Sequence, residues 1–483
     1  MRWSRCLKLT VPLVLLTSIL PATGLIHPRR AEPADIIALQ DEISDFQIPI
    51  YKTSKDVPAL NVLPHHRRKR SITRRNPTSH PHTQTINATE DATYWVPVKI
   101  GDQDFKLLLD TGSSDTWVVT KPWYRCLGYS IFEPDTIVEN PPSYCAFGPG
   151  FDTRTSDTFQ IVNENDTSFL TRYFDDSVVS GYLGEDIVDV SGVVVTQVIG
   201  IANWTLEWQG DGETSGILGL GYPGTIPSEP GHTPFDWVQQ DQLGTHKMPF
   251  DCHEVYPSFV ENLATYNYKS IFSIALNRSQ TMTPGNWTDT VFTPEGGLLT
   301  LGGIPSLEGL GLPFARAKMN PHINEDNACA SDFNQIGYGI EIDGVADGQE
   351  AFVTERYPAK VDTGSPIIAF PRKLAKKVYN RIYPDAKDYP EPWELWTVPC
   401  NETFPEFGFV IDGVVITMQR PSVITAYDHD ATGETGKLMC STMFITHDAG
   451  SDFIILGAPF LQEVLAIYDV EHKEMRFGKR FGN

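Results

Sequence analysis

The sequence lacks the features that mark several large classes of protein. After the N-terminal apolar run at residues 9–20, it contains no second stretch of about twenty apolar residues, and it ends without a hydrophobic tail. We therefore expect no membrane anchor. Beyond Cys6 the six cysteines lack the paired C-x-x-C spacing of a structural zinc site, and the twelve histidines show no ligand spacing. We therefore expect no metal and no cofactor.

Positive charge is scarce in most of the chain. Residues 1–70 contain 11 Lys and Arg against 6 Asp and Glu, whereas residues 71–483 contain 27 against 55, so the two parts carry net charges of +5 and −28. A nucleic-acid partner would need clustered positive charge, and we expect none. With 41% hydrophobic and 11% aromatic residues, the chain can bury substantial cores.

The N-terminal part has the pattern of segments that are removed during export. Basic residues precede the apolar run, and small residues follow it at 22–24, which predicts a signal peptide over residues 1–24. The alternative, a membrane anchor, would need a longer run without Pro12. We predict a pro-segment over residues 25–70, ending in HHRRKR, although such a run is alternatively a solvated or nucleic-acid-binding patch. Residues 71–93 are predicted to be an N-terminal extension.

Export also agrees with the cysteines and with the glycosylation acceptors. An even number of cysteines after the signal peptide suits disulfides in an oxidising compartment. We expect a secreted, extracellular protein, with the vacuole as the alternative location. The predicted glycosylation sites are the six Asn-x-Ser/Thr acceptors Asn87, Asn165, Asn203, Asn277, Asn286 and Asn401.

Two copies of the tetrapeptide Asp-Thr-Gly-Ser organise the remainder of the chain. The first begins at Asp110 after FKLLL, and the second begins at Asp362 after AKV. Each predicts a buried strand that delivers a carboxylate into a tight turn. A lone DTG is usually an Asp-initiated turn. However, a given tetrapeptide is expected only on the order of 0.01 times in a chain of this length, so two copies favour a function.

The surrounding sequence is predominantly of β type and contains an internal duplication. Short β-type runs alternate with Gly, Asp and Asn turns, with helices predicted only at 257–264 and 373–383. Each of the two aspartates is followed later by a Leu-Gly pair, at 218–219 and 456–457. We predict an all-β fold with two similar lobes, residues 94–275 and 276–483, facing each other. Within the first lobe, a hairpin of sequence SFLTRYFDDSVVSGYLG is predicted to project Tyr173.

Together these motifs resemble the pepsin family of aspartic endopeptidases over about residues 94–479, with similarity to secreted fungal members. The resemblance rests on the paired DTGS motifs, on Trp117 seven residues after Asp110, on the tyrosine-bearing hairpin, and on GILGLGYP and IILGAPFL. It implies a bilobal pepsin-like fold, two related β-barrel-like lobes with a catalytic cleft between them. It also implies polypeptide substrates with bulky apolar residues, a monomer, and a Tyr173 that closes over the substrate and bonds to Trp117.

The resemblance also bears on the covalent structure. The pair Cys400–Cys440 matches the disulfide of the family's C-terminal lobe. Cys126 and Cys145 flank the loop after the first motif, and Cys252–Cys329 remains by elimination.

Paired carboxylates supply the chemistry that such an enzyme needs. Two carboxyl groups about 3 Å apart cannot both ionise, so one serves as a base toward water and the other as an acid. We therefore expect a zymogen that hydrolyses peptide bonds at acidic pH through water activated between Asp110 and Asp362. Ser113 and Ser365 are expected to bond the outer carboxylate oxygens. Thr111 and Thr363 are expected to lock the two turns together, and Gly112 and Gly364 to let their backbones approach.

Three positions depart from the family pattern. Phe174 and Asp176 stand where glycines are usual in the hairpin, and Pro366 replaces a usual Ser or Thr, which removes a backbone N–H donor. These departures keep open a non-catalytic binding protein on the same scaffold. A glycoside hydrolase is the other alternative, although its carboxyl groups lie roughly 5 Å or 6.5–9.5 Å apart, and it leaves the duplicated turns unexplained.

Overall fold

The structure is a computed structural model, which describes residues 42, 44, 46–52 and 93–480 with internal gaps. The gaps are residues 123, 130–135, 163–167, 174, 176, 209, 223–225, 229–253, 279–294, 306–309, 321–336, 386–391, 393, 400–405, 420–423, 433–437 and 448–451. The predicted signal peptide, most of the predicted pro-segment and the extension at 71–92 therefore lie outside the described residues.

Strands dominate the described part of residues 42–270. The strands are β1 (Gln47–Lys52), β2 (Tyr94–Ile100), β3 (Gln103–Asp110), β4 (Trp117–Val119), β5 (Arg125–Tyr129), β6 (Ile137–Asn140), β7 (Gln160–Ile161), β8 (Ser168–Arg172), β9 (Val178–Val190), β10 (Val193–Leu206), β11 (Gly216–Gly219), β12 (Ile226–Ser228) and β13 (Glu254–Tyr256). The helices are α1 (Pro142–Cys145) and α2 (Phe259–Thr265).

The described part of residues 271–480 is built in the same way. The strands are β14 (Ile271–Leu276), β15 (Glu295–Leu301), β16 (Leu310–Lys318), β17 (Gly339–Ile342), β18 (Gly344–Asp347), β19 (Glu350–Val353), β20 (Tyr357–Val361), β21 (Ile368–Pro371), β22 (Leu395–Pro399), β23 (Phe407–Ile411), β24 (Val414–Thr417), β25 (Ile424–Thr432), β26 (Leu438–His447), β27 (Ile454–Leu456), β28 (Val464–Asp469) and β29 (Glu474–Arg480). The helices are α3 (Arg372–Ile382) and α4 (Ala458–Leu461).

The two halves of the chain repeat one strand arrangement around the two DTGS motifs. In the first half, β11 pairs in parallel with β3 and antiparallel with β4. In the second half, β27 pairs in parallel with β20 and antiparallel with β21. The Leu-Gly pairs of the sequence thus mark the strands that lie beside the two aspartate-bearing strands. The all-β, two-lobed pepsin-like fold is confirmed.

A continuous sheet joins strands from both halves of the chain. Its order runs β16-β29-β28-β14-β15-β1-β2-β3, so β1 lies inside the sheet between β15 and β2. Ile48 and Ile50 of β1 are buried in the main hydrophobic core. Just before β1, Ser44 bonds to the backbone of Leu301, and Glu42 forms an ion pair with Arg476 at 2.9 Å. Strand β1 of the predicted pro-segment is therefore an internal strand of the sheet that joins the two halves of the chain.

The two helices predicted from sequence are present with shifted bounds. Helix α2 begins after Ser258, whose side chain accepts from the Glu261 N–H while Glu261 accepts from the Ser258 N–H, a capping box that fixes the start of the helix. Helix α3 begins directly after Pro371, and the proline prevents the helix from extending further toward the N-terminus. One face of α3 is buried and contains Leu374, Val378 and Ile382. Among the described residues, no helix has the length and apolar character needed to cross a membrane.

Candidate active site

The two aspartates of the DTGS motifs lie at equivalent ends of equivalent strands. Asp110 ends β3, and its carbonyl oxygen accepts from the Leu220 N–H at 2.7 Å. Asp362 follows β20, and its N–H donates to the Leu456 carbonyl oxygen at 3.1 Å. Apolar residues on both sides bury the approach strands, so each carboxylate is carried on a rigid element into the junction between the lobes.

The two threonines connect the turns across this junction. The Thr111 N–H donates to Thr363 Oγ1 at 2.9 Å, and the Thr363 N–H donates to Thr111 Oγ1 at 3.0 Å. Each hydroxyl in turn donates to a carbonyl oxygen of the other strand, Thr111 to Val361 at 3.1 Å and Thr363 to Leu109 at 2.7 Å. These four bonds hold the two aspartate-bearing turns in one fixed arrangement.

The two glycines explain how close the turns approach. The Gly112 N–H donates to Asp110 Oδ1 at 2.7 Å, and the Gly364 N–H donates to Asp362 Oδ1 at 2.9 Å. A Cβ atom on Gly112 would lie 2.3 Å from Asp362 Oδ1, and one on Gly364 would lie 2.5 Å from Asp110 Oδ1. Each glycine therefore faces the carboxylate of the opposite lobe, and no larger residue fits between the two.

The two serines differ from each other. The Ser113 hydroxyl donates to Asp110 Oδ2. The Ser365 hydroxyl instead donates to the Ile367 carbonyl oxygen at 3.4 Å, which differs from the expectation of a bond to Asp362. Pro366 follows Ser365 directly, and a proline restricts the backbone of the residue before it. We attribute the different direction of the Ser365 hydroxyl to this local constraint.

The surroundings favour a proton on the aspartate pair. Burial, and then the negative charge of Asp362, raise the pKa of Asp110 well above its usual value. The Ser113 hydroxyl, the Lys360 ammonium and the Gly112 N–H act in the opposite direction on the same pKa. The pair can therefore hold one shared proton and one negative charge, which is the state needed to take a proton from water while donating one to a carbonyl.

Tyr173 directly follows β8 in the hairpin of β8 and β9, which we call the flap. Trp117 Nε1 donates to the Tyr173 hydroxyl at 2.6 Å, and the Tyr173 N–H donates to the Ser177 carbonyl oxygen at 2.8 Å. Burial, and then the charges of Asp115 and Asp110, raise the pKa of Tyr173, which keeps its hydroxyl neutral. Phe174 and Asp176 lie outside the described residues.

Two further aromatic residues, which sequence reasoning missed, surround this pair. The ring of Trp208 lies 5.2 Å from that of Trp117 and 5.4 Å from that of Tyr173, and it stacks on Phe147 at 5.9 Å. Trp208 and Phe147 are distant from the flap in sequence, so no local pattern could have identified them. The group forms an apolar wall beside the flap.

Two charged residues near the aspartates were also missed. Asp115 is buried below the flap, and burial raises its pKa to about 6, against an opposing hydrogen bond from Thr171. Lys360 is half-buried, and its Nζ donates to the Gly112 carbonyl oxygen at 2.7 Å. The sequence did carry a signal for Lys360, because it lies two residues before Asp362 and so shares its face of the strand.

The cysteines and glycosylation acceptors are described in part. Cys126 and Cys145 form a disulfide that ties β5 to α1, and Cys440 is also disulfide-bonded. Asn203 is exposed on β10, whereas Asn277 is half-buried and its side-chain oxygen accepts from Arg480 at 2.8 Å. The remaining predicted residues lie outside the described part of the chain, namely Cys252, Cys329, Cys400, Asn87, Asn165, Asn286 and Asn401.

Within the described residues, no group of three or more His, Cys, Asp or Glu side chains is arranged to hold a metal ion. At the junction the structure brings together the two carboxyl groups, the Ser113 hydroxyl and backbone N–H groups that bond to them, and the Lys360 ammonium group.

Comparisons with known proteins agree with this geometry. A family model described as eukaryotic aspartyl protease matches residues 93–249 and 320–480, more than half of the chain. The chain is 28% identical over 396 residues to a "probable aspartic-type endopeptidase" of Aspergillus fumigatus, which covers 81% of this chain and 80% of that protein. It is 24% identical over 400 residues to penicillopepsin-3 of Penicillium janthinellum, with 81% and 80% covered.

A more distant relative is barrierpepsin of Saccharomyces cerevisiae, 22% identical over 397 residues, which cover 79% of this chain and 59% of that protein. The family match removes the glycoside hydrolase alternative, because the matched regions contain both DTGS turns and assign them to an aspartyl protease. The chain belongs to the eukaryotic aspartyl protease family and is an aspartic endopeptidase with a pepsin-like fold.

Proposed function

We propose that this protein is a secreted aspartic endopeptidase, made as a zymogen, that hydrolyses peptide bonds at acidic pH with water activated between Asp110 and Asp362. The observation that carries the proposal is the reciprocal placement of the two turns, in which each glycine faces the carboxylate of the other lobe. In this arrangement one water molecule can contact both carboxyl groups at once.

The reaction then follows from the singly charged pair. The ionised carboxylate accepts a proton from water as the water oxygen attacks the peptide carbonyl carbon, and the protonated carboxyl donates its proton to the carbonyl oxygen. In the collapse of the tetrahedral diol, the carboxyl that took the proton from water gives it to the amide nitrogen, and the other carboxylate takes a proton from a diol hydroxyl. The C–N bond breaks, the amine and the carboxylic acid leave, and the pair is again singly charged. Ser113 and Gly112 hold the Asp110 carboxyl in place through the two hydrogen bonds described above.

We propose polypeptide substrates with bulky apolar residues around the scissile bond. The wall of Trp117, Trp208 and Phe147 beside Tyr173 supports this preference, because a large apolar side chain gains about 1.5–3 kcal/mol when it is fully buried. The flap would cover the bound peptide from one side, with the Tyr173 hydroxyl held by the Trp117 N–H. We propose that the protein acts as a monomer.

The proposal of acidic operation rests on the electrostatics of the site. Burial, and then the charge of Asp362, raise the pKa of Asp110 to about 7, so the pair holds a proton throughout the acidic range. A pair with one proton is retained over a pH range in which isolated surface carboxylates are already ionised.

The proposals of export and of a zymogen rest on the N-terminal part of the chain. The signal-peptide pattern and the Cys126–Cys145 disulfide support an extracellular location, with the vacuole as the alternative. The segment 25–70 ends in the basic run HHRRKR, which can pair with carboxylates of an enzyme body of net charge −28. Strand β1, which belongs to this segment, forms antiparallel pairs with β15 and β2, and these pairs bind the segment to the rest of the enzyme.

The test is hydrolysis of an acid-denatured protein by the purified chain at about pH 3–5, with and without a statine-type transition-state analogue. We expect cleavage that the analogue abolishes, and new peptide ends that follow bulky apolar residues. Absence of analogue-sensitive cleavage, after the N-terminal segment has been removed, would contradict the proposed function and favour a binding protein.

A further inference from the structure

A lysine stands beside the aspartate pair on the strand that delivers Asp362. Lys360 and Asp362 are two residues apart, and side chains alternate along a strand, so both project toward the turn of the other lobe. Lys360 Nζ donates to the Gly112 carbonyl oxygen at 2.7 Å, across the junction between the lobes. The ammonium group is therefore hydrogen-bonded to the backbone of the turn that holds Asp110.

The surroundings leave room for the side chain and hold it in place. A Cβ atom on Gly337 would lie 2.6 Å from Lys360 Cε, so the absence of a side chain at 337 makes space for the lysine stem. The strand neighbours of Lys360 are Gly339 on β17 and Ile455 on β27, both uncharged. On β17, the nearby Glu341 is exposed and bonds to Arg356 at 2.8 Å instead.

The ionisable groups that interact with the pair differ in charge. Asp110 and Asp362 face each other, Tyr173 approaches from the flap, and Tyr468 approaches from β28. Burial raises the pKa of both tyrosines, so their hydroxyls stay neutral. Asp115 acts on Tyr173 and belongs to the same region. Among these described groups, Lys360 supplies the positive charge.

We propose that Lys360 is an electrostatic positioning residue, whose ammonium group stabilises the singly charged state of the aspartate pair and so extends the working range of the enzyme to lower pH. The inference rests on the proposed acidic endopeptidase function. It concerns a residue outside both DTGS motifs. Support comes from the geometry above and from the direction in which the Lys360 charge acts on the Asp110 pKa, which it lowers.

The physical argument is one of charge balance. A fixed positive charge near a carboxyl pair favours each loss of a proton from that pair, because it attracts the resulting negative charge. Both limbs of a bell-shaped pH profile of kcat/KM should then lie at lower pH than they would without the lysine. Burial and the mutual repulsion of the aspartates act in the opposite direction, so the lysine offsets part of their effect.

The experiment compares the pH profiles of kcat/KM of the wild type and three variants. K360R keeps the positive charge, K360Q removes the charge and keeps a donor for the Gly112 carbonyl, and K360M removes both. We expect K360R to retain the wild-type profile. We expect both limbs to move upward by about half to one pH unit in K360Q and K360M. Activity on the acid limb would fall about three- to tenfold at a fixed pH.

The outcomes separate this inference from the proposed function. If K360Q folds and its profile coincides with that of the wild type, the inference is wrong, and the endopeptidase function stands. A lower kcat/KM with unmoved limbs, in K360M alone, would assign Lys360 a purely structural role and would also overturn it. If the wild type shows no activity, the proposed function fails instead.

A second measurement does not depend on turnover. Binding of a statine-type analogue is followed by calorimetry in buffers of different ionisation enthalpy, which gives the number of protons taken up at each pH. We expect the pH range of proton uptake to be higher in K360Q than in the wild type and K360R. Identical ranges in all three proteins would overturn the inference.

Discussion

The hydroxyl of Thr111 accepts the N–H of Thr363, and the hydroxyl of Thr363 accepts the N–H of Thr111. Both side chains are buried, with exposed fractions of 0% and 3%. Buried backbone donors must find an acceptor, and here each lobe supplies the acceptor of the other. The position of each aspartate therefore depends on the folding of the opposite lobe.

We expect Thr111→Val to destabilise the protein by about 1–3 kcal/mol. The substitution leaves the buried Thr363 N–H without its acceptor and removes the bond to the Val361 carbonyl oxygen. Denaturant unfolding measures the change. Thr111→Ser keeps the hydroxyl and serves as the matched control, for which a much smaller loss is expected. A larger loss in Thr111→Ser than in Thr111→Val would show that the methyl group, which the serine variant lacks and the valine variant keeps, supplies the stability instead of the hydrogen bonds.

Acid should stabilise the folded protein through Asp115. Burial raises the pKa of this carboxyl from 3.8 to about 6, so the folded state binds the proton more tightly than the unfolded state does. The free energy of unfolding therefore falls as the pH rises through this range. At pH 7 the ionised Asp115 should lower the free energy of unfolding by on the order of 2 kcal/mol. Below about pH 4 Asp115 is protonated and should not lower the free energy of unfolding.

The substitution Asp115→Asn tests this pH dependence, because it is close in shape and cannot ionise. We expect the melting temperature of the variant to exceed that of the wild type at pH 7 and the advantage to disappear near pH 4. Asp104→Asn, at an exposed position of β3, is the control and should leave the pH dependence unchanged. Parallel wild-type and Asp115→Asn curves over the whole range would rule out the role of Asp115.

Tyr173→Phe should lower kcat/KM about fivefold, because it removes one hydrogen bond worth about 1 kcal/mol from the flap. The Trp117 N–H then loses the hydroxyl that accepts it at 2.6 Å. Steady-state kinetics on one peptide substrate measure the change, and Tyr266→Phe at an exposed position is the control. Unchanged kinetics in Tyr173→Phe would separate the hydroxyl from flap function.

Processing should remove the N-terminal segment at the basic cluster. Mass spectrometry of the secreted, active protein is expected to find Ser71, or a later residue before about Tyr94, at the N-terminus. Residues 25–70 carry 8 Lys and Arg against 6 Asp and Glu, a net charge of +2, and residues 71–483 carry −28, which favours attachment of the segment at neutral pH; protonation of carboxylates weakens the attachment in acid. A fully active enzyme at pH 4 with residues 25–70 still covalently attached would exclude an inhibitory pro-segment.

Much of the fold could be predicted because the chain repeats its own pattern. The paired DTGS motifs and Leu-Gly pairs predicted two similar all-β lobes, and the structure places β11 and β27 in the same relation to β3 and β20. By contrast, the place of β1 inside the joint sheet could not be predicted, because strand partners distant in sequence leave no local signal.

The site was predictable where the duplication determines it and not elsewhere. The two threonines and two glycines occupy equivalent positions in both motifs, so their roles follow from symmetry. The Ser365 hydroxyl departs from that symmetry, with Pro366 next to it. Lys360 occurs in one copy only, and Asp115 becomes unusual only through its burial in the folded protein.

The most direct test of the account is the kcat of Asp110→Asn and Asp362→Asn, measured separately on the same peptide at the pH optimum of the wild type. The changes are nearly isosteric and remove ionisation, so each variant should keep the wild-type circular dichroism spectrum and lose turnover entirely within detection. Asp104→Asn should retain full activity, since that carboxylate is exposed and lies six residues before Asp110 on β3, about 20 Å along the strand. Near-wild-type kcat in either Asp110→Asn or Asp362→Asn would contradict the shared-carboxylate mechanism.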